Sequence, residues 1–270
     1  MGASAIDIRF QDVSLSFPSR SGAPTVALDN MRCSFAAGKV TAIVGPSGCG
    51  KSTMLQIARG FLTPTDGEVR FIDRRSGHSA PPPAMATVWQ SFNLFPWMTV
   101  RDNVAFGLEV AGVPRAERIE KARAALARVD LSGFEDKFPR QLSGGMRQRV
   151  GIARALVMQP EILFLDEPFG ALDAQTRLVL QEQVADIVQS TGATVILVTH
   201  SIEEAILLGD CIYVMTARPG RIAREITVDL PRPRTLANMK EPAFSALFEE
   251  IYDLLKDEVV RAMALEAGAH

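Results

Sequence analysis

The feature that most constrains the fold is a short apolar segment that leads directly into a glycine-rich loop. Val40–Val44 predicts a buried strand, and residues 52–61, beyond the loop, predict a helix. Glycines allow backbone N–H groups to surround phosphate oxygens, while a lysine supplies a cation and a hydroxyl can bind Mg²⁺. A strand, a loop and a helix in this order predict nucleoside triphosphate binding by Gly45, Pro46, Ser47, Gly48, Cys49, Gly50, Lys51, Ser52 and Thr53.

A second motif joins an apolar segment to two carboxylates. Residues 161–165 predict a buried strand, and Asp166 and Glu167 follow at its carboxyl end, where open α/β sheets place their ligands. Successive side chains on a strand point in different directions, so the two acids can take separate roles. We predict that Asp166 coordinates Mg²⁺ together with Ser52, and that Glu167 polarises an attacking water. The alternative, a solvated acidic turn before Pro168, fits less well beside a phosphate-binding loop.

A second glycine-rich segment lies between these motifs and reads Leu142-Ser143-Gly144-Gly145-Met146. It precedes a helix that we predict over residues 146–157. Bare backbone N–H groups at a helix N-terminus can hold a phosphate. The chain therefore carries two predicted phosphate-binding segments that are far apart in sequence, and no local pattern explains the second.

The remaining pattern divides the chain into strand-rich and helix-rich parts. Alternating apolar residues predict a strand over Ile6–Phe17 with one bulge, and a turn at residues 18–24 leads to a second strand that ends at Phe35. Residues 101–157 show helical patterning without a strand signal. Strands and helices then alternate, which indicates a parallel sheet covered on both faces. The predicted elements of this last part are a helix at 174–190, a strand at 194–199, a helix at 202–208 and a strand at 211–215.

Composition narrows the possible functions. The chain has 270 residues, enough for one α/β core and a smaller subdomain. Its net charge of −2 and the lack of any Lys/Arg block argue against nucleic-acid binding. No apolar run approaches the ~20 residues of a membrane span, and residues 1–10 lack the pattern of a secretory signal. We therefore expect a partner to hold the protein at a membrane if it works there.

The three cysteines, Cys33, Cys49 and Cys211, are widely separated in the sequence. Their spacing fits neither a disulfide framework nor a zinc site, so we expect a reducing cytosol. Two interpretations remain for Cys49. A helix N-terminus lowers the pKa of a thiol and would make this residue reactive, whereas a small loop residue would have no such role.

The order of the motifs resembles that of an ATP-binding-cassette (ABC) ATPase over roughly residues 6–221. The resemblance rests on the phosphate loop, on LSGGM followed by Arg147-Gln148-Arg149, and on Leu165-Asp166-Glu167-Pro168 followed by Ala171-Leu172-Asp173. It implies an α/β fold of the P-loop NTPase (RecA-like) class, with a parallel-sheet core, an N-terminal antiparallel β subdomain and an inserted α-helical subdomain. It further implies a single ABC ATPase domain over residues 1–270. The expected parts are a core with the β subdomain at 1–90 and 158–222, a helical subdomain at 91–157 and a C-terminal extension at 223–270.

The resemblance also explains the second glycine-rich segment. In this family the LSGGM of one subunit closes over the ATP that the phosphate loop of the other subunit holds. Ser143, Gly144 and Gly145 would therefore bind the ATP of a second, identical or related, subunit in a head-to-tail dimer. Asp173 matches the aspartate that couples the two sites across the dimer. The resemblance thus implies ATP and Mg²⁺ as ligands and dimerisation as a requirement for hydrolysis.

Three further site residues follow from the resemblance. Gln90 is similar to the glutamine that reaches Mg²⁺ and the attacking water, although a glutamine at a strand end can also be purely structural. His200 is similar to the switch histidine at the γ-phosphate, and it closes a predicted core strand at the edge where ligands bind. Phe17 takes the place of a tyrosine that stacks on adenine, and a buried strand residue is the alternative interpretation.

Three segments resemble those of the nitrate, sulfonate and taurine importer group of bacteria. Residues 93–100, called the docking segment below, are too apolar for an idle surface loop and suggest a contact surface. In the family this region receives the transmembrane subunit, so we expect permease subunits to dock near residues 90–100. Residues 217–221 and 231–234 add to the same resemblance. It implies uptake of a small anion or sulfonate-like solute delivered by a periplasmic-type binding protein, with another cargo, such as a vitamin precursor, as an alternative.

The C-terminal part predicts an amphipathic helix that packs on the ATPase core or on the dimer mate. Its apolar positions at helical spacing are Phe244, Leu247, Phe248, Ile251, Leu254, Leu255 and Val259. The resemblance to the importer group implies a peripheral subunit on the cytoplasmic face of the inner membrane.

A soluble cassette ATPase of translation or DNA repair is an alternative of a different class. Such proteins typically carry two cassettes in one chain or a long coiled-coil insertion, and this sequence shows one cassette and no heptad run. A P-loop kinase or GTPase is less consistent, because LSGGM has no role in either. The Asn-Lys-x-Asp sequence that selects guanine is also missing from the chain.

Overall fold

Two β-sheets of different character organise the chain. The computed structural model describes residues 4–18 and 22–267, with side chains described as far as residue 263. Residues 1–3, which begin the segment examined for a secretory signal, and residues 19–21, in the predicted turn, lie outside the described residues. The described strands are β1 (Ile6–Phe17), β2 (Thr25–Phe35), β3 (Val40–Val44), β4 (Asp66–Asp73), β5 (Ser79–Ala80), β6 (Met85–Val88), β7 (Ile162–Asp166), β8 (Thr194–Val198), β9 (Cys211–Met215) and β10 (Ile222–Thr227).

The helices lie between the strands and at the C-terminal end. The α-helices are α1 (Lys51–Ala58), α2 (Val100–Val110), α3 (Arg115–Ala127), α4 (Gly144–Leu156), α5 (Ala174–Thr191), α6 (Ile202–Leu208) and α7 (Pro242–Ala267). Short 3₁₀ helices occupy Pro139–Gln141 and Leu236–Lys240. None of the helices in the described part of the chain is both long and apolar enough to cross a bilayer.

The larger sheet has the order β10-β9-β3-β8-β7-β6, and its strands are parallel except for β10. Every residue of β3 and β8 is buried. One face of this sheet packs on helices, and the other packs on α1 and the smaller sheet. Because both faces are buried, its central strands read as continuous apolar segments instead of alternating ones. The smaller sheet is antiparallel, with the order β2-β1-β4-β5. The predicted parallel core and N-terminal antiparallel part are therefore confirmed.

Helices α2, α3 and α4 follow β6 and form the predicted helical insertion. Their apolar faces join the core of the larger sheet through buried residues such as Val104, Leu126 and Val150. Helix α4 begins at Gly144, two residues before the predicted start at Met146. The side chain of Ser143 accepts the N–H of Met146 at 3.2 Å, and this cap brings both glycines into the first turn.

The C-terminal part continues the core. Strand β10 pairs with β9, so the larger sheet extends past residue 222, the end of the expected catalytic core. The predicted C-terminal helix forms as α7, and its Phe244 and Ile251 are buried in the same cluster as α6 and the parallel strands. Val259 is 36% exposed and does not share this packing. Of the two expected positions for this helix, the structure shows the one on the core.

Candidate active site

Four adjacent strands end at one edge of the larger sheet and carry most of the predicted site. The order β3-β8-β7-β6 is continuous and parallel, so the carboxyl ends of these strands meet. The phosphate loop follows β3, and His200 lies two residues after β8. Asp166 ends β7 and precedes Glu167, and Gln90 lies two residues after β6. The topology therefore places four segments that are distant in sequence beside one another.

A cleft of about 340 Å³ opens at this edge. Phe17 lies in the wall of the cleft and is 42% exposed, which is inconsistent with the alternative of a buried strand residue. Sequence analysis missed three of the lining residues, Thr25, Ala27 and Arg218. The predicted residues that line the cleft are Phe17, Ser47, Gly48, Gly50, Lys51, Ser52, Thr53, Glu167 and His200.

The phosphate loop has the features that a polyphosphate requires. Gly48 and Gly50 have φ angles of 73° and 102°, in the left-handed region that glycine adopts without strain. Helix α1 starts after Gly50 with no side-chain cap, so its first turn presents unsatisfied N–H groups to an anion. The Lys51 ammonium donates hydrogen bonds to the carbonyls of Gly45 and Pro46, at 2.8 and 2.9 Å, which hold it inside the loop. These residues fit ATP.

Cys49 differs from its neighbours because its side chain points away from the cleft. The residue is 1% exposed, and its Sγ would lie 2.8 Å from a Cβ built on Gly45. Burial raises the pKa of this thiol, and the nearby Lys51 ammonium lowers it only in part. The interpretation as a reactive thiol is therefore wrong, and Cys49 can contribute to ligand binding only through its backbone.

Glu167 and His200 face each other across the cleft. The Nδ1 atom of His200 lies 3.5 Å from Oε2 of Glu167. Glu167 has a φ of 46°, which is uncommon for a residue with a side chain, and its N–H donates to the carbonyl of Val198 at 2.9 Å. This bond between the β7 end and the β8 end fixes the direction of the Glu167 carboxylate toward the imidazole.

Gln90 lies against the turn that follows Glu167. Its side-chain nitrogen would be 3.1 Å from a Cβ built on Gly170, so the approach depends on a glycine there. The N–H of Gly170 donates to the Glu167 carbonyl at 3.1 Å, which closes the turn. Gln90 does not line the cleft itself, but a shift of its amide and a shift of the Glu167 turn are sterically linked.

Arg59 is a feature of the site that sequence analysis missed. Its side chain is 4% exposed, and its guanidinium carbon lies 4.6 Å from the ring centre of Trp89 and 5.0 Å from that of Phe164. Its Nη2 is 3.8 Å from Oδ2 of Asp166, too far for a hydrogen bond, and none of its nitrogens has a hydrogen-bond partner among the described residues. Burial raises the pKa of Asp166, and the Arg59 cation opposes that rise.

The expected Mg²⁺ ligands bring together a hydroxyl, an amide and a carboxylate, from Ser52, Gln90 and Asp166. Within the described residues, no three His, Cys, Asp or Glu side chains form a protein-only metal site. Mg²⁺ usually retains waters and substrate phosphates and takes only one or two protein carboxylates, so this oxygen-rich set fits the ion.

The LSGGM segment and Asp173 lie outside the set of residues that line the cleft. Ser143 caps α4, and Asp173 caps α5 by accepting the N–H of Thr176 at 3.0 Å, which lowers the pKa of its carboxyl. The two helix N-termini touch, because a Cβ built on Gly145 would lie 2.4 Å from Cγ2 of Thr176. Ser143 and Asp173 are both exposed. These predicted ligands therefore form a separate surface beside the first turns of α4 and α5.

A buried polar network links that surface to the cleft, and it too was missed by sequence analysis. Glu204, on α6, is 4% exposed and accepts hydrogen bonds from Gln181 on α5 and from Thr199 after β8. Burial raises the pKa of Glu204, against the effect of these two hydrogen bonds. The network therefore ties helix α5, which Asp173 caps, to the residue that precedes His200.

The docking segment is held rigidly although it is exposed at its tip. Asn103 on α2 is 0% exposed, and its amide bonds the Phe95 N–H and the carbonyls of Phe95, Met98 and Thr99 at 2.8 to 3.2 Å. Trp97 between them is 70% exposed, an unusual position for an indole ring unless another molecule covers it. No sequence pattern pointed to Asn103, since a lone asparagine carries no motif.

Known proteins resemble this chain in sequence over most of its length. An uncharacterised ABC transporter ATP-binding protein of Methanocaldococcus jannaschii is 46% identical over 88% of this chain and 87% of the relative. The nitrate import ATP-binding protein NrtD of a Synechocystis strain is 40% identical, over 92% of this chain and 95% of the relative. The taurine import ATP-binding protein TauB of Burkholderia pseudomallei is 42% identical, over 93% of this chain and 96% of the relative. The resemblance to the nitrate, sulfonate and taurine group is thus confirmed.

Solved structures agree with the sequence relatives. The dimeric structure of an ATP-binding cassette in a post-hydrolysis state, bound to ADP and phosphate, matches with a TM-score of 0.69 and 32% identity. The match covers 83% of this chain and all of that one, which confirms the predicted P-loop NTPase fold. A family profile described as ABC transporter matches residues 28–170, from β2 through the turn after Glu167. The phosphate loop, Glu167 and His200 lie at one sheet edge, and the relatives and the family profile agree with this arrangement. The chain therefore belongs to the ABC transporter family, as an ATP-hydrolysing cassette that serves transport.

Proposed function

We propose that this protein is the ATPase subunit of an importer for a small anion or a sulfonate-like solute, of the nitrate, sulfonate and taurine type. The observation that carries the proposal is the likeness to nitrate and taurine import proteins over 92% and 93% of the chain, which includes the region beyond the family match. The proposal keeps the expected organisation of residues 1–270 as one ABC ATPase domain. It also places the protein at the cytoplasmic face of the membrane, held by its permease partners.

The arrangement at the sheet edge supports a division of labour in ATP hydrolysis. Lys51 and the N–H groups of the phosphate loop would hold the β- and γ-phosphates in the cleft that Glu167, after the carboxyl end of β7, also lines. When bound by Ser52, Gln90 and Asp166, Mg²⁺ would neutralise charge on those phosphates.

Glu167 and His200 act on the attacking water and the terminal phosphate. Oε2 of Glu167 accepts a proton from the water as it attacks. His200, 3.5 Å from that carboxylate, orients it and donates a hydrogen bond to the γ-phosphate. The Val198 carbonyl fixes the backbone of Glu167, so the acceptor is preorganised before the reaction begins.

The separate position of the LSGGM surface supports a head-to-tail dimer. Ser143, Gly144 and Gly145 do not line the cleft of their own chain, yet Ser143 is exposed at a helix N-terminus. In the proposed dimer they contact the ATP in the cleft of a second copy, and Asp173 lies at the same interface. A solved relative with 32% identity is itself dimeric, which agrees with this assembly.

Permease subunits are proposed to bind the docking segment. Its exposed Trp97 ring lies 5.6 Å from the ring of Phe95, and Phe95 in turn lies 4.7 Å from Phe106. A rigid aromatic surface of this kind offers contact area at a small cost in conformational entropy. Gln90 precedes the segment, so a movement at the docked face can reach the turn of Glu167. A periplasmic-type binding protein would act only through the permease.

The test is co-purification from detergent-solubilised membranes, followed by transport. We expect a tagged chain to bring a permease with it, and Trp97→Ala to lose the permease while retaining ATP binding. Reconstituted vesicles with the binding protein should then take up labelled taurine or nitrate when ATP is supplied on the ATPase side. Uptake of another solute instead would reject the proposed cargo, and the lack of any membrane partner would favour a soluble cassette ATPase.

A further inference from the structure

The loop between β9 and β10, residues 216–221, reaches the cleft with a side chain that has no assigned role. The loop is closed on itself by Thr216, whose N–H donates to the Arg221 carbonyl at 2.9 Å. The Thr216 hydroxyl donates to the carbonyl of Pro219 at 2.9 Å and accepts the N–H of Arg221 at 3.0 Å. Residues 217–220 are therefore presented as a compact turn and not as a loose connection.

This turn is fixed against both β2 and the phosphate loop. Gly220 donates to the Ala27 carbonyl at 2.9 Å and accepts the N–H of Asp29 at 3.0 Å, while Arg221 pairs with the Asp29 carboxylate. A Cβ built on Gly220 would lie 2.1 Å from the carbonyl oxygen of Cys49. Only glycine permits this approach, so the backbone of the turn packs directly on the phosphate loop.

A second anchor comes from the C-terminal helix. The N–H of Ala217 donates to Oε2 of Glu258 at 2.8 Å, and Glu258, on α7, is 6% exposed. The other carboxylate oxygen of Glu258 accepts from Arg261 at 2.7 Å. The backbone on each side of Arg218 is thus held, by α7 before it and by β2 after it.

The side chain of Arg218 lines the cleft beside the phosphate loop. Its Nη2 lies 3.9 Å from a Cβ built on Gly48, and no described side chain or backbone group accepts a hydrogen bond from it. The lining carries two fixed cations, Lys51 and Arg218, against one carboxylate, Glu167. An excess of positive charge suits a polyanion, and the planar guanidinium can bind two phosphate oxygens at once.

We propose that Arg218 binds the phosphate chain of the nucleotide, as a second cation beside Lys51, from a turn that β2 and α7 hold in place. The inference rests on the assignment of the cleft to ATP and does not depend on the cargo. It adds a side chain from the C-terminal half of the sheet to a site otherwise built by the phosphate loop and the ends of β7 and β8. It also gives residues 217–221 a role within the ATPase itself.

The test compares Arg218→Met, Arg218→Lys and the matched control Arg224→Met, an exposed arginine on β10 that does not line the cleft. The probes are a fluorescent ATP analogue and inorganic triphosphate as its competitor, with the full chain in Mg²⁺ at two salt concentrations. We expect Arg218→Met to lower the affinity for both probes by about tenfold and Arg218→Lys to lower it less. The control should bind both probes with the affinity of the wild type. The loss should shrink at higher salt, since it arises from charge.

Four other outcomes show which assumption has failed. Equal affinities for wild type and Arg218→Met, or an equal loss in the Arg224 control, would overturn the proposal. Weaker binding of the ATP analogue with unchanged binding of inorganic triphosphate would also overturn it, because the contact would then be to the base or ribose. A wild-type chain that binds neither probe would instead reject the assignment of the cleft to ATP.

Discussion

Helices α1 and α4 both begin beside glycines, yet their first turns are organised differently. Helix α1 starts at the buried Lys51, after Gly50 in the left-handed region, and no side chain caps it. Helix α4 starts at Gly144, and the exposed Ser143 caps it by accepting the N–H of Met146. The first end leaves its N–H groups facing a cleft of the same chain. The second is partly satisfied and faces outward, so it suits a ligand brought by another molecule.

The largest expected effect concerns the cleft alone. Glu167→Gln should lower steady-state ATP turnover by about 10²- to 10⁴-fold, because an amide cannot accept the proton of the attacking water. ATP binding should persist, since Lys51 and the α1 N-terminus are untouched. Phosphate release and binding of a fluorescent ATP analogue measure the two quantities. Glu161→Gln, at the opposite end of the same strand, is the matched control, and normal turnover in Glu167→Gln would remove Glu167 from its assigned role.

A smaller loss of ATP hydrolysis should follow from a substitution at the N-terminus of α4. Ser143→Arg places a bulky cation on the outward surface, and we expect hydrolysis to fall by about a hundredfold while ATP binding by the isolated chain stays unchanged. Mixing this variant with Lys51→Ala should restore part of the activity, because one mixed dimer site then combines an intact cleft with an intact α4 end. No recovery over a range of mixing ratios would argue against sites shared between two chains.

Stability should distinguish the two glycines of the α4 end. Gly145→Ala forces a Cβ to within 2.4 Å of the Thr176 methyl group and should lower the free energy of unfolding by about 1–3 kcal/mol. Gly144→Ala is the control, because its Cβ would meet Leu172 at an ordinary 3.7 Å. Urea denaturation measures both. Thr176→Ser removes the methyl group, and a Gly145→Ala defect that this second change does not relieve would contradict the contact between α4 and α5.

The smallest effect should be a pH dependence in the network that joins the two regions. Burial raises the pKa of Glu204, so the folded chain binds this proton more tightly than the unfolded chain does. Its contribution to stability is complete below the unfolded pKa and is lost as the pH rises through the folded pKa. The unfolding free energy of the wild type should therefore decline with pH more than that of Glu204→Gln. Denaturation between about pH 4 and pH 8 tests this, with Glu203→Gln as control, and identical slopes would contradict it.

Sequence patterns predicted those elements that are buried on both faces. The bounds of β3, β9 and α6 match the prediction, β8 ends one residue earlier than predicted, and β7 is shifted by one residue at both ends. Strand β4 was missed because its residues are half-buried or exposed and give no clear alternation. Strand β10 was missed because Ile226 is its one buried residue. An edge strand of this kind is defined by its partner β9, which a local pattern does not reveal.

In the site, residues that belong to a motif were predicted, whereas isolated residues were not. Sequence spacing predicted that the phosphate loop, Glu167 and His200 would reach one sheet edge, and the structure brings them there. Arg59 gave no signal, and the segment that contains Arg218 gave none for a place in the cleft, because each arginine lies against a residue that is distant in sequence. Arg59 faces Asp166, and Arg218 faces Gly48. A lone arginine has no pattern of its own, so only the folded chain shows what surrounds it.

The buried amide of Asn103 has a mechanical consequence. Its hydrogen bonds hold the backbone of residues 95–99 against α2, so the segment around Trp97 is attached directly to the helix. We expect a displacement of Trp97 to move residues 95–99 and α2 together. Helix α2 packs on α4, whose first turn carries Ser143. The aromatic tip and the outward-facing end of α4 are therefore connected through α2, by the hydrogen bonds of Asn103 and by helix packing.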